Sequence, residues 1–175
     1  MTNTGRYIRA VLWDMDGTLM DSQPLWDESF RRCCQERGGT VTPEQVAGIA
    51  GASIARTCEL IAETGATASP QDPATAEVFA RISAQVEAAV RADPPILPGA
   101  RSITSTLSEI GLAQVIVTQS PRPIVEAVAH ALGDVFVELV TGDDGLPGKP
   151  TPAPYAAAIE RLGLSPQECV VVEDS

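Results

Sequence analysis

Tyr7-Ile8-Arg9-Ala10-Val11-Leu12-Trp13-Asp14-Met15-Asp16-Gly17-Thr18 is a short apolar run that ends on two carboxylates and a glycine. A β-branched-rich segment closed by glycine predicts a buried strand followed by a tight turn. Side chains alternate along a strand, so Asp14 and Asp16 are aimed at one spot at its carboxyl end. In open α/β sheets ligands bind outside that end of the strands. Two like charges so close are costly unless a cation, a proton or a reaction requires them. An Asp-x-Asp alone also fits a loop of solvated acids. The strand before it and the Gly-Thr after it favour a site.

Strands and helices alternate in the carboxy-terminal half. A helix over Ala100–Ile110 precedes a strand over Ala113–Thr118. A helix over Pro121–Leu132 precedes a strand over Val135–Val140, and one over Pro152–Leu162 precedes the strand Cys169–Val172. Apolar strands in such an alternation predict a parallel sheet covered on both faces. The middle of the chain differs. Helices are expected from Pro24 to about Arg37, from Thr42-Pro43-Glu44, after Gly51-Ala52-Ser53 to about Glu63 and over Ala74–Ala92, with no comparable strand among them. The last carries Val78, Phe79, Ile82, Val86 and Val90 on one stripe. Asp93–Gly99 holds three prolines in seven residues and marks the boundary. The fold class is therefore α/β, with an all-helical segment inserted after the first strand.

The chain is 175 residues long, 44% apolar, and carries a net charge of −11. That length allows one domain with a modest insertion. Its acidity argues against nucleic acid or an anionic membrane surface as a partner. No apolar run approaches the ~20 residues of a membrane span, and residues 1–5 are short and polar without a signal pattern. Cys33, Cys34, Cys58 and Cys169 match no zinc or redox spacing and are expected as free thiols in a reducing cytoplasm. His130, the single histidine, excludes a two-histidine metal site and is expected to be packed or solvent-exposed.

Parallel strands share one rim at their carboxyl ends. The sequence places Asp14, Asp16, Thr118, a turn holding Lys149, and Glu173-Asp174 there. Lys149 is the only lysine beside eleven arginines, set in a Gly-Lys-Pro turn between strand and helix. A local turn hydrogen bond and a functional cation both explain it, and its solitude favours the second.

With these segments in order, DMDGT at 14–18, VIVTQS ending at Ser120, GKPTPAPY from Gly148 and VVVEDS at 170–175, the chain resembles the haloacid dehalogenase superfamily, in its branch of helical-cap phosphatases and β-phosphoglucomutase-like enzymes. DSQPLW at 21–26 resembles the sugar-phosphate phosphatases of that branch. The resemblance implies a Rossmann-like core at 1–20 and 93–175 and a helical cap at 21–92. It implies Asp14 as the nucleophile that forms an aspartyl-phosphate, and Asp16 as the acid and base. Mg²⁺ would be bound by Asp14, the backbone carbonyl of Asp16, and Asp174, with Glu173 adding a direct or water-mediated contact. Thr118 and the Gln119 amide would hold phosphoryl oxygens, and Lys149 would neutralise their charge. Arg56 could meet the far end of a substrate or stand as an exposed helix arginine.

The chain departs from the pattern at two points. Ala153 stands where an acidic helix cap is usual. The sequence also stops at Ser175, where relatives continue with a helix, a strand and a final helix. The expectation is thus a carboxy-terminally truncated core with an exposed edge strand and low turnover. The lack of lysine in the cap excludes a Schiff-base mechanism there. Three functions stand open: a Mg²⁺-dependent phosphatase acting on a small-molecule sugar or polyol phosphate, a sugar phosphomutase, and an impaired fragment acting only in binding. Gly51-Ala52-Ser53 is followed by Ile54, where mutases carry a basic residue, which weakens the second. Oligomeric state is not readable.

Overall fold

Ala10, Val11, Leu12 and Trp13 are all buried, and a strand with no polar face must lie inside a sheet covered on both sides. In the computed structural model, which describes residues 7–174, this strand, β1 (Ala10–Trp13), lies between two parallel neighbours. The expected polar stretch 1–5, and Ser175 of the fourth motif, lie outside the described residues. β2 (Ala113–Val117), β3 (Glu138–Val140) and β4 (Cys169–Val172) complete a sheet of order β3-β2-β1-β4, with every pairing parallel. Leu12 is in register with Val115 on one side and Val171 on the other. The register brings the ends of all four strands to one rim, so Asp14, Thr118, Thr141 and Glu173 leave the sheet side by side.

Alternation along β1 divides the core into two layers. Val11 and Trp13 pack with Ile116 and with Ile124, Val125 and Val128 of α6 (Arg122–Ala131). Leu12 packs with Val115, Val117, Val140 and Ala158 of α7 (Ala153–Leu162) on the opposite face. The Trp13 indole N–H donates to the Gln114 Oε1 at 3.1 Å, and the Gln114 amide donates to the Thr104 carbonyl at 2.8 Å from α5 (Ala100–Glu109). Gln114 is fully buried, and this chain satisfies its amide.

The strand expected over Val135–Val140 is shorter. Gly133 and Asp134 take positive φ angles of 95° and 54°, and the turn delays the chain's return to β2 until Val137 donates to the Gln114 carbonyl. β4 is outermost among the described strands, with Val170 and Val171 partly exposed, as expected of an edge. The four cysteines are free thiols, and His130 is exposed beside Asp134.

Residues 21–92 form four helices: α1 (Gln23–Glu36), α2 (Pro43–Ala47), α3 (Ile54–Glu63) and α4 (Pro73–Ala92). Pro24 in its first turn suits α1, whose missing N–H would be unpaired there anyway. A capping box between Thr42 and Gln45 starts α2, the Ser53 hydroxyl caps α3 and the Asp72 carboxylate caps α4. α4 packs on α1 and α3, and also on α6. One apolar cluster consequently runs from Phe30, Leu60 and Ile82 to Ile124 and Val128 without a break. The two connections run antiparallel: Leu97 donates to the Leu19 carbonyl and Asp21 to the Pro95 carbonyl, each at 2.9 Å.

Candidate active site

β1 delivers Asp14 to the rim, and its backbone N–H still donates to Val172 at 2.9 Å, which holds it at the strand end. Gly17 turns the chain with φ of 90°. A side chain there would also run into the Asp174 carboxylate, so only glycine lets the two motifs close up. The rim opens into a cavity of about 900 Å³ between the strand ends and the loops and helices of 21–92.

Asp14 is 6% exposed, and its Oδ1 accepts from Lys149 Nζ at 2.5 Å. The other oxygen, Oδ2, is buried and has no hydrogen-bond partner among the described residues. Burial pushes the Asp14 carboxyl above its usual range, against the pull of Lys149. Lys149 bridges to Glu173 Oε1 at 2.8 Å and lies 5.2 Å from the centre of the Tyr155 ring. Burial alone would lower the Lys149 ammonium, but hydrogen bonds to Asp14 and Glu173 hold it well above its usual value. It is a fixed cation. The Tyr155 hydroxyl, kept protonated chiefly by burial, donates to Glu173 and fixes it from the other side.

Asp16 takes a different set of partners. The Ser22 hydroxyl donates to Oδ1; the Ser120 hydroxyl donates to Oδ2 at 2.7 Å and the Thr118 hydroxyl to the same oxygen at 3.1 Å. Thr118 in turn accepts from the Ser120 backbone N–H at 3.1 Å. Two carboxylates of one Asp-x-Asp thus have distinct surroundings: Asp14 faces a cation, and Asp16 is oriented by hydroxyls.

Asp14, Glu173 and Asp174 each offer a carboxylate oxygen, and the three lie within 4.8 Å of one another. A set of hard oxygen donors with one buried unpartnered oxygen fits a small divalent cation. Lys149 and Tyr155 both engage Glu173, and Lys149 also holds Asp14 Oδ1, which leaves Asp14 Oδ2 and the Asp174 carboxylate to face a cation.

The structure brings Asp14, Asp16, Thr118, Gln119, Lys149, Glu173 and Asp174 to one cavity. The Thr118 hydroxyl donates to Asp16 at the mouth of the strand ends. The Gln119 side chain reaches across to the Gly51 carbonyl at 2.9 Å. Arg56 is not brought to the cavity. Its guanidinium pairs with Glu59 and Glu63 of its own helix, both at 2.8 Å, because residues three and seven positions on share its outer face. The sequence reading missed Ser22, Ser120 and Tyr155. Each lay inside a quoted segment, but a serine or tyrosine carries no spacing that marks it.

The haloacid dehalogenase-like hydrolase family matches residues 8–175. The chain belongs to that family. This hydrolase is 30% identical over 177 residues to hexitol phosphatase B of Escherichia coli, covering 99% of the chain and 78% of the relative. It is 33% identical over 168 residues to hexitol phosphatase A of the same organism, covering 95% and 74%. The fold of this hydrolase is that of β-phosphoglucomutase from Clostridium difficile, with a TM-score of 0.80 at 18% identity over 96% of the chain and 77% of the relative. CbbY from Rhodobacter sphaeroides, solved with phosphate, gives 0.79 at 23% identity, over 96% and 78%.

Proposed function

We propose that this hydrolase is a Mg²⁺-dependent phosphatase that removes the phosphoryl group from a sugar or polyol phosphate through an aspartyl-phosphate on Asp14. The observation that carries the reading is the asymmetry of Asp14: Lys149 pins one oxygen while the other is buried and unpartnered. The Asp14 oxygen not taken by the divalent cation is the attacking atom. As it bonds to phosphorus, the bond from phosphorus to the ester oxygen breaks, and Asp16 gives its proton to that oxygen. Water then attacks the acyl phosphate, Asp16 takes the water's proton, and inorganic phosphate leaves with Asp14 restored. Ser22, Ser120 and Thr118 aim the Asp16 carboxyl for both transfers. Lys149 offsets charge on the phosphoryl oxygens throughout. A divalent cation held by Asp14 and Asp174, with Glu173 and the Asp16 carbonyl beside them, would supply the positive charge that offsets repulsion between carboxylate and phosphate.

Residues 21–92 act in this proposal as a cap that excludes water from the cavity. The names of the hexitol phosphatases support a polyol or sugar phosphate. The phosphomutase reading has less support, since Ile54 lines the cavity beyond Gly51-Ala52-Ser53. The test is phosphate release from p-nitrophenyl phosphate and sorbitol 6-phosphate, with Mg²⁺ and with chelator. Asp14→Asn should lower turnover by about 1,000-fold or more. Release that persists in this variant, or in chelator, overturns the mechanism.

A further inference from the structure

We infer that the cavity accepts phosphate esters whose remainder is uncharged and excludes those carrying a second anionic group. This rests on the phosphatase reading and adds a rule for the part of the substrate that does not react.

The charges around the cavity are one-sided. Its described lining includes five carboxylates, from Asp14, Asp16, Asp21, Glu173 and Asp174, and one cation, Lys149. Lys149 is committed to Asp14 and Glu173 at the phosphoryl end. Two arginines on bordering helices could have served the far end, and both are drawn off. Arg56 of α3 is paired with Glu59 and Glu63. Arg122 of α6, next to the lining residue Pro121, is paired with Asp144 at 2.9 Å.

The part of the lining contributed by residues 21–92 includes Trp26, Ile49, Ile54 and Phe79, with Gln23 and Thr57 as neutral polar groups and Asp21 as the one acid among them. Aromatic and aliphatic surfaces suit the C–H faces of a carbon chain. Hydroxyls of a polyol can donate to Asp21 or Gln23. A second phosphate or a carboxylate finds no free cation among the described lining residues, loses water and shares the cavity with Asp21, a like charge. A site that offers an anion no partner discriminates by roughly 100-fold or more.

Matched pairs test the rule on the Mg²⁺-loaded enzyme. Sorbitol 6-phosphate and 6-phosphogluconate differ at C1 by an alcohol against a carboxylate; fructose 6-phosphate and fructose 1,6-bisphosphate differ by one phosphate. Both kcat/KM and calorimetric affinity should favour the neutral member of each pair by about 100-fold or more. Ile54→Arg, which places a cation on the wall, should narrow the gap by about tenfold. An anionic member accepted or bound within about threefold of its partner overturns the rule, and so does failure of every ester to bind. If p-nitrophenyl phosphate and all esters bind but are not cleaved, the phosphatase reading fails, and the order of affinities still decides the charge rule. Should Ile54→Arg not fold, the two pairs on the unaltered enzyme remain decisive.

Discussion

Removing the Ser120 hydroxyl takes one of three hydrogen bonds from Asp16 and leaves the carboxyl in place. A hydrogen bond to a charged group is worth about 1.5–3 kcal/mol, and part of that is lost orientation in the proton-transfer step. Ser120→Ala should lower kcat about tenfold with KM within about twofold, and Ser120→Thr should retain most of the activity. Steady-state kinetics decide it; an unchanged kcat in Ser120→Ala would mean that Ser22 and Thr118 suffice. The sequence made Asp14, Asp16, Lys149 and Asp174 legible because charged residues at strand ends have few other reasons to gather. Ser22, Ser120 and Tyr155 were not legible, since their roles arise only when distant loops meet. Arg56 stayed open for a related reason: position on a helix is readable, but the choice between a cavity and two glutamates on the same helix is made by side-chain geometry.

Among the elements, β2 carries a polar residue through a buried layer. Gln114 accepts from Trp13 and donates to Thr104, so Gln114→Leu leaves the indole N–H unpaired in the interior and strips the Thr104 carbonyl of its second donor beside the helical one. The expected loss is about 2–4 kcal/mol in chemical denaturation, and a loss under about 1 kcal/mol would show that water or repacking compensates. β4 is secured at its start by another device. The Glu168 carboxylate accepts from the Ser165 backbone N–H and hydroxyl and pairs with Arg9 at 3.1 Å. The Ser165 N–H, its hydroxyl and Arg9 lower the Glu168 carboxyl from 4.5 to about 2. A depressed folded value means stabilisation that is present above the unfolded value and lost as pH falls toward the folded one. The stability gap between wild type and Glu168→Gln should therefore be full near neutrality and shrink from about pH 4.5 downward. A gap that grows in acid would refute the assignment. The alternating pattern of strands and helices was readable at this scale, whereas the length of β3 was not, because it depends on the positive φ at Asp134, which nothing in Val135-Phe136-Val137 announces.

For the molecule as a whole, the order of motifs predicted a parallel sheet with a helical insertion after the first strand, and the sheet has that form. Apolar periodicity could not foresee that α4 would pack on α6 and join the insertion and the sheet in one apolar cluster. Such continuity resists separate unfolding, so denaturation followed by circular dichroism and by fluorescence should give one coincident transition. The placement of the two tryptophans has a practical consequence. Trp13 is locked beneath the sheet by Gln114, while Trp26 borders the cavity. Emission from one should stay indifferent to occupancy, and emission from the other should respond when an ester enters. The protein thus holds an intrinsic optical gauge with its own internal reference, and Trp26→Phe should silence the signal without touching the reference.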